Sequence, residues 1–206
     1  FIKIKNKSLN KSWKSNIVSE IIKKKLKKNT NINKASIDSR KTKKNNIFFG
    51  IKGKNFDGNK FIDQALNNGA SIAINQNKST NQVKNKIYVK NSLKTFSESS
   101  KMIRISSNIS SIAITGSAGK TSLKELLGQM IGKLYQTSYS KNSFNNKYGV
   151  PISLFNIGKE DKIGIFEVGM DKKGEIDFLT KLIMPNIGVI TNISYAHIKN
   201  FKNLRG

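Results

Sequence analysis

The chain has no cysteine, two prolines, one histidine and one tryptophan among its 206 residues. Without cysteine there is no disulfide and no thiolate metal site, which fits a reducing compartment. Acidic side chains are also scarce: 12 Asp and Glu stand against 38 Lys and Arg, a formal net charge of +26. No secretory leader pattern is visible and no apolar stretch is long enough to cross a bilayer. A soluble cytoplasmic protein without a membrane span is therefore expected. Aromatic residues make up 8% and are not concentrated among the lysines, so there is no base-stacking platform. Hydrophobic content of 36% is low for a globular chain but above the disordered range. The positive excess suits nucleic acid or an anionic membrane. It equally suits compositional bias, because Lys, Asn and Ile are abundant together and the lysines are scattered, apart from runs such as Lys23-Lys24-Lys25. We prefer the bias reading, with a basic cleft for anionic substrates as an alternative, and expect no nucleic-acid partner.

The apolar pattern organises the chain into two α/β blocks. In the first, Trp13, Ile17, Ile21, Ile22 and Leu26 recur at near-helical spacing and predict a surface helix with a narrow buried stripe. Residues 46–51 read as a strand, Phe61, Ile62, Ala65 and Leu66 as a helix ended by Gly69, and 71–75 and 86–89 as strands. Leu93, Phe96 and Ile103 suggest a helix running to the Ser/Asn-rich stretch at 106–111, where a domain boundary is expected: 1–108, then 109–206. In the second block, strands are expected at 112–115, 164–168 and 187–193, with helices over about 120–135 and 174–182. Strands alternating with helices indicate a parallel, doubly wound sheet, whose ligands sit at the carboxyl ends of strands.

The chemistry concentrates in the run Thr115-Gly116-Ser117-Ala118-Gly119-Lys120-Thr121-Ser122. An apolar strand ends in a Gly-rich turn, the turn ends in Lys-Thr, and a helical pattern follows. Free amides and the helix dipole at such a place suit a polyphosphate. Lys120 can reach the terminal phosphates and the Thr121 hydroxyl can ligate Mg²⁺. Ile114 stands where the common eight-residue loop carries its first glycine, so the loop is a shortened form. Glu167 closes an apolar strand, where a buried carboxylate needs a partner. It is either a surface residue at a strand end or a Mg²⁺ ligand working with Thr121. His197, the single histidine, follows the last strand and is either structural or a metal or phosphate ligand. Residues 142–151 read as a polar connecting loop.

Taken together these pieces resemble the Mur ligase family of peptidoglycan synthesis, and within it the branch that adds D-alanyl-D-alanine. The matching segments lie in order at 36–40, 52–61, 115–122, 145–151, 166–176 and 190–201. The resemblance implies a small α/β N-terminal UDP-substrate domain followed by a C-terminally incomplete P-loop parallel-sheet ATPase domain. It implies a monomeric, ATP- and Mg²⁺-dependent ligase of cell-wall synthesis, hence of cell shape and division. The enzyme would join D-alanyl-D-alanine to UDP-N-acetylmuramoyl-tripeptide through an acyl phosphate. By the same resemblance, Lys120 would stabilise the γ-phosphate. Thr121 and Glu167 would hold one Mg²⁺, and His197 would help hold a second. Ser39 and Arg40 would contact the UDP part, with the turn Asp57, Gly58, Asn59 nearby. Asn145 and Asn146 would line the substrate side. The family pattern has His where Asn59 stands, which weakens any charge-based role there. The chain stops before the family's carbamylated lysine and third domain, so it is not expected to turn over by itself. Two other readings stay open. One is a sister Mur ligase or a folylpolyglutamate-type ligase on the same scaffold. The other is a non-enzymatic basic nucleic-acid-binding module.

Overall fold

The structure is a computed structural model in which residues 13–23, 26, 30–77, 85–140 and 142–194 are described. The chain divides into two units, Phe1–Ser99 and Ser100–Gly206.

In the first unit, helix α1 (Trp13–Ile21) buries Ile17 and Val18. The expected stripe is only partly inward, because Trp13, Ile21 and Ile22 remain half-buried. Polar groups complete the contact: Lys14 Nζ donates to the Asn33 carbonyl at 2.8 Å, and the Ile32 amide donates to Ser15 Oγ at 3.1 Å. Strands β1 (Lys34–Ser36), β2 (Asn46–Phe49), β3 (Ala70–Asn75) and β4 (Lys86–Tyr88) form one parallel sheet in sequence order. All four residues of β2 are buried, as expected when both faces of a parallel sheet are covered. Phe48 packs with Ile62 and Ala65 of α2 (Ile62–Asn67). Phe49 lies 4.7 Å, ring to ring, from Phe96 of α3 (Ser92–Ser106). β2 stops at Phe49, two residues short of expectation. Beyond it the chain closes a small loop, in which Gly53 N–H donates to Phe56 O and Gly58 N–H to Ile51 O. β1 was not foreseen, since Lys-Ala-Ser carries no apolar run.

In the second unit β5 (Ser110–Thr115), β6 (Thr137–Tyr139), β7 (Ile163–Glu167) and β8 (Ile187–Ile190) form a parallel sheet in the order β6-β7-β5-β8. Helices α4 (Lys120–Ile131), α5 (Gly149–Phe155) and α6 (Glu175–Ile183) make the crossovers. Ala113, Phe166 and Val168 of the sheet pack with Val150 and Leu154 of α5 and with Leu179, Leu182 and Ile183 of α6. Helix α4 packs against β5, β6 and β7. It comes so close at Gly128 that a Cβ there would lie 2.9 Å from the Tyr139 ring. The carboxyl ends of β5 and β7 thus open next to the start of α4, the place where such sheets take ligands.

Three sequence expectations are corrected in this unit. The helix after the loop ends at Ile131, not 135: Gly132 caps it and turns follow to Tyr135. The last strand ends at Ile190, not 193: the Thr191 amide makes the final ladder bond, to Thr115, and the Thr191 and Asn192 side chains then bond the glycine loop at Ala118. The supposed polar loop at 142–151 contains the start of α5. There Asn146 Oδ1 accepts from the amides of Tyr148 and Gly149, each at 3.0 Å, and Pro151 fits an early helical position. Arg104 of α3 is buried and donates to the carbonyls of Ile183 and Met184 and to Ser111 Oγ. It closes the C-terminus of α6, and burial lowers its pKa. Among the described residues no helix is long and apolar enough to cross a membrane.

A candidate phosphate-binding site at the carboxyl edge of the second sheet

Between Thr115, the last residue of β5, and Lys120, the first of α4, the chain must reverse within four residues. Gly116 at φ +136° and Gly119 at φ +79° make this possible. Gly119 is the N-cap of α4, and no side chain caps the helix, so its first amides face outward at the positive end of the dipole. The loop is clamped from behind by residues after β8. Thr191 Oγ1 donates to the Ala118 carbonyl at 2.6 Å, and Asn192 Oδ1 accepts the Ala118 amide at 2.9 Å. The Ser117 amide donates to the Asn192 carbonyl, and the Ser194 amide to Ser117 Oγ at 2.8 Å. The amides of Ser117 and Ala118 are therefore engaged within the protein. The amides from Gly119 to Ser122 at the helix start are the ones left to face a phosphate. Lys120 Nζ folds over the loop and donates to the Gly116 carbonyl at 2.5 Å. Ser122 is exposed on the first turn.

Glu167 is the last residue of β7, in register with Ile114 of β5, and is only 1% exposed. Both carboxylate oxygens are satisfied. Thr121 Oγ1 donates to Oε2 at 2.8 Å, and Asn145 Nδ2 donates to Oε1 at 2.8 Å. Behind Oε2, at 3.7 Å, sits the ammonium of Lys124, whose side chain is fully buried. Lys124 Nζ also donates to the Asn142 carbonyl at 2.7 Å and lies 3.3 Å from Glu125 Oε1. Lys120, Lys124 and Gly128 follow one another at intervals of four, so one stripe of α4 carries the loop lysine, the buried lysine and the close approach to β6. Sequence reasoning found Lys120, Thr121, Glu167 and Asn145. It set the segment from Thr191 to His197 at this sheet edge without assigning Thr191 or Asn192 a contact, and it missed Lys124, hidden among 38 basic residues. The signal for Lys124 was its position one turn after the loop lysine on the same helix face.

The remaining expected residues fall elsewhere. In the first unit, Ser39 is buried in a 3₁₀ turn, Ser39–Lys41, and its Oγ donates to Gln64 Oε1 at 2.6 Å. Arg40 is exposed and ion-paired with Asp38 at 3.0 Å. Hydrogen bonding to the guanidinium holds the Asp38 carboxyl below the usual range. Asp57 Oδ1 accepts from Asn59 Nδ2 at 2.7 Å and from the Asn59 amide at 2.9 Å, which lowers its pKa. Asn59 is itself buried, and its Oδ1 accepts the Gln76 amide at 2.9 Å. A Cβ on Gly58 would lie 2.8 Å from the Ile51 backbone nitrogen. The turns at 39–41 and 58–61 both pack on α2. Asn146 caps α5, as described above. His197 lies outside the described residues.

The comparisons with known proteins agree with this architecture. A family described as Mur ligase family, catalytic domain, matches residues 31–116, and the Mur ligase middle domain matches 114–206. The chain belongs to the Mur ligase family. It is 32% identical over 182 residues to the UDP-N-acetylmuramoyl-tripeptide–D-alanyl-D-alanine ligase of Haemophilus influenzae, covering 86% of this chain and 40% of that protein. The ligase of the same name from Rickettsia prowazekii is 33% identical over 193 residues, covering 93% and 43%. Among solved structures, MurF from Acinetobacter baumannii superposes with a TM-score of 0.82 at 28% identity, over 94% of this chain and 44% of that one. MurF from Thermotoga maritima in complex with ADP superposes with a TM-score of 0.73 at 28% identity, over 84% and 40%. This Mur ligase chain thus spans about 40% of the length of the curated relatives it matches.

Proposed function

We propose that the protein carrying this chain is the ATP-dependent ligase that joins D-alanyl-D-alanine to UDP-N-acetylmuramoyl-tripeptide in peptidoglycan precursor synthesis. The observation that carries the reading is the Thr121–Glu167 hydrogen bond, which sets a strand-tip carboxylate beside a glycine loop and an open helix start. The names of the relatives support the substrate pair, and the ADP complex of one neighbour supports the nucleotide. In this reading the loop from Thr115 to Ser122 cradles the phosphates, and Lys120 leaves the Gly116 carbonyl to meet the γ-phosphate. Thr121 Oγ1 and Glu167 Oε2 are hard oxygen donors of the type that hold Mg²⁺. Bound there, the metal would neutralise charge on the phosphates. His197 is assigned by the family pattern to a second metal. Ser39, Arg40 and the turn Asp57–Gly58–Asn59 serve the UDP end, and Asn145 and Asn146 the acceptor side of residues 109–206.

The chemistry follows from a poor leaving group. The terminal carboxylate oxygen of the tripeptide attacks the γ-phosphorus of ATP, giving an acyl phosphate and ADP. The free amine of D-alanyl-D-alanine then attacks the acyl carbon, and inorganic phosphate leaves with the C–O bond electrons, while the amine loses a proton. The protein's part is alignment and charge neutralisation. The reaction belongs in the cytoplasm, where ATP and the UDP-linked precursor occur together.

Replacing Lys120 by Ala in the full-length protein tests this. Phosphate release that depends on both UDP-tripeptide and D-alanyl-D-alanine should fall by about 10²–10³-fold, in line with loss of a group aimed at developing charge. Undiminished release would refute the assignment. Release supported by a diamino acid or glutamate in place of D-alanyl-D-alanine would transfer the chain to a sister branch.

A further inference from the structure

The reading above does not use Lys124, yet it is the most deeply buried cation described in the second unit, with no exposed side-chain surface. A buried ammonium is retained at a cost in desolvation, so its partners indicate what it serves. Those partners converge on the metal side of the loop. Glu167 Oε2 is 3.7 Å away, Glu125 Oε1 is 3.3 Å away, and the Asn142 carbonyl accepts at 2.7 Å, just ahead of Asn145, which holds the other Glu167 oxygen. Lys124 and Lys120 balance Glu167 and Glu125 in formal charge, so the site carries no excess negative charge to draw in a free cation. Among the described residues no three His, Cys, Asp or Glu side chains come together as a metal cluster.

We infer that Lys124 is a resident counter-cation for Glu167, and that it makes entry of the divalent metal dependent on the nucleotide. The inference rests on the proposed function for the identity of that nucleotide. A free divalent cation approaching Glu167 meets a carboxylate already neutralised from behind and repulsion from Lys120. A nucleotide diphosphate or triphosphate brings the missing negative charge, so metal and nucleotide enter as one complex. Lys124 is thus a positioning residue: it touches neither phosphate nor metal, and it acts through Glu167 and through the loop that delivers Asn145.

Binding of Mn²⁺ by the 206-residue chain tests this, with free ion followed by electron paramagnetic resonance at pH 8, with and without ADP. The wild-type chain should bind Mn²⁺ in the presence of ADP and at least tenfold more weakly without it. Lys124→Met should acquire a site for free Mn²⁺ at least tenfold tighter than that of the wild type. Adding Glu167→Gln to that variant should abolish the site. Lys124→Gln, which can still donate to the Asn142 carbonyl, repeats the measurement should the methionine variant not fold. Equal affinity of wild type and variant for free Mn²⁺ would overturn the inference, as would tight binding of free Mn²⁺ by the wild type. Absence of Mn²⁺·ADP binding by the wild type would instead count against the nucleotide reading, and the free-ion comparison would still decide the role of Lys124.

Discussion

The pairing of Lys124 with Glu167 makes a quantitative demand on stability. Both side chains are essentially inaccessible, at 0% and 1% exposure, and their charges are 3.7 Å apart. At an effective dielectric constant near 20 the attraction is about 4 kcal/mol before desolvation is subtracted. Removing one partner of such a pair costs about 3–5 kcal/mol, because the other charge stays buried. Glu167→Gln should sit near the lower limit, about 3 kcal/mol, since Lys124 keeps the Asn142 carbonyl and Glu125. Lys124→Met should cost about the same, since Glu167 keeps its bonds from Thr121 and Asn145. The double variant leaves no buried charge unpaired, since Glu125, which also loses Lys124, is partly solvent-exposed. It should lose about 3–4 kcal/mol rather than about 6, a coupling of about 2–3 kcal/mol. The single tryptophan, Trp13, belongs to the first unit. Amide hydrogen exchange in β7 is the suitable assay, and a loss of about 3 kcal/mol should speed exchange through global opening by roughly two orders of magnitude. Single losses that add within about 0.5 kcal/mol would refute the coupling.

Two further outcomes follow from the geometry. Gly116→Ala would place a Cβ against the Thr191 hydroxyl and 3.0 Å from the Asn192 backbone, at a φ of +136°. It should cost about 2–4 kcal/mol and weaken ADP binding more than tenfold by calorimetry; unchanged affinity would show that the clamp from 191–194 does not shape the loop. The Asp57 turn should respond to acid. Its folded pKa lies below the usual 3.8 because Asn59 donates to the carboxylate through its side chain and backbone. The unfolded chain therefore takes up the proton first, and the stabilisation is present above about pH 4 and is lost as pH falls through the lower folded value. The Gly58 and Asn59 amide resonances should titrate below 3.8 in the folded chain and lose this step in Asp57→Asn; a midpoint at or above 3.8 would contradict the hydrogen-bond account.

The legible parts of this molecule are those whose physics is local in the chain. An apolar run, then Gly-x-x-Gly-Lys-Thr, then a helical pattern placed β5, the loop and α4, because the reversal needs residues free to adopt positive φ within that short span. Alternating strands and helices made a parallel sheet the expected outcome, since parallel neighbours need crossovers. Short edge strands such as β1 and β6 escaped, because three residues of mixed polarity carry no period. Helix α5 escaped because its start is capped by an asparagine inside a stretch that reads as turn.

From the sequence alone, then, came the residue types and local turns: a phosphate-type loop, a strand ending in a carboxylate, and two α/β blocks. Only the tertiary structure decided which side chains meet. Thr121 reaches Glu167 across 46 positions and Asn192 grips Ala118 across 74, contacts no local pattern encodes. Lys124 shows the difference most directly. In the chain it is one lysine among many, and in the fold the register of β7 against β5 and the packing of α4 on the sheet bury it behind a carboxylate. Burial changes its physics, because a charge removed from water must be compensated by whatever the fold brings to it.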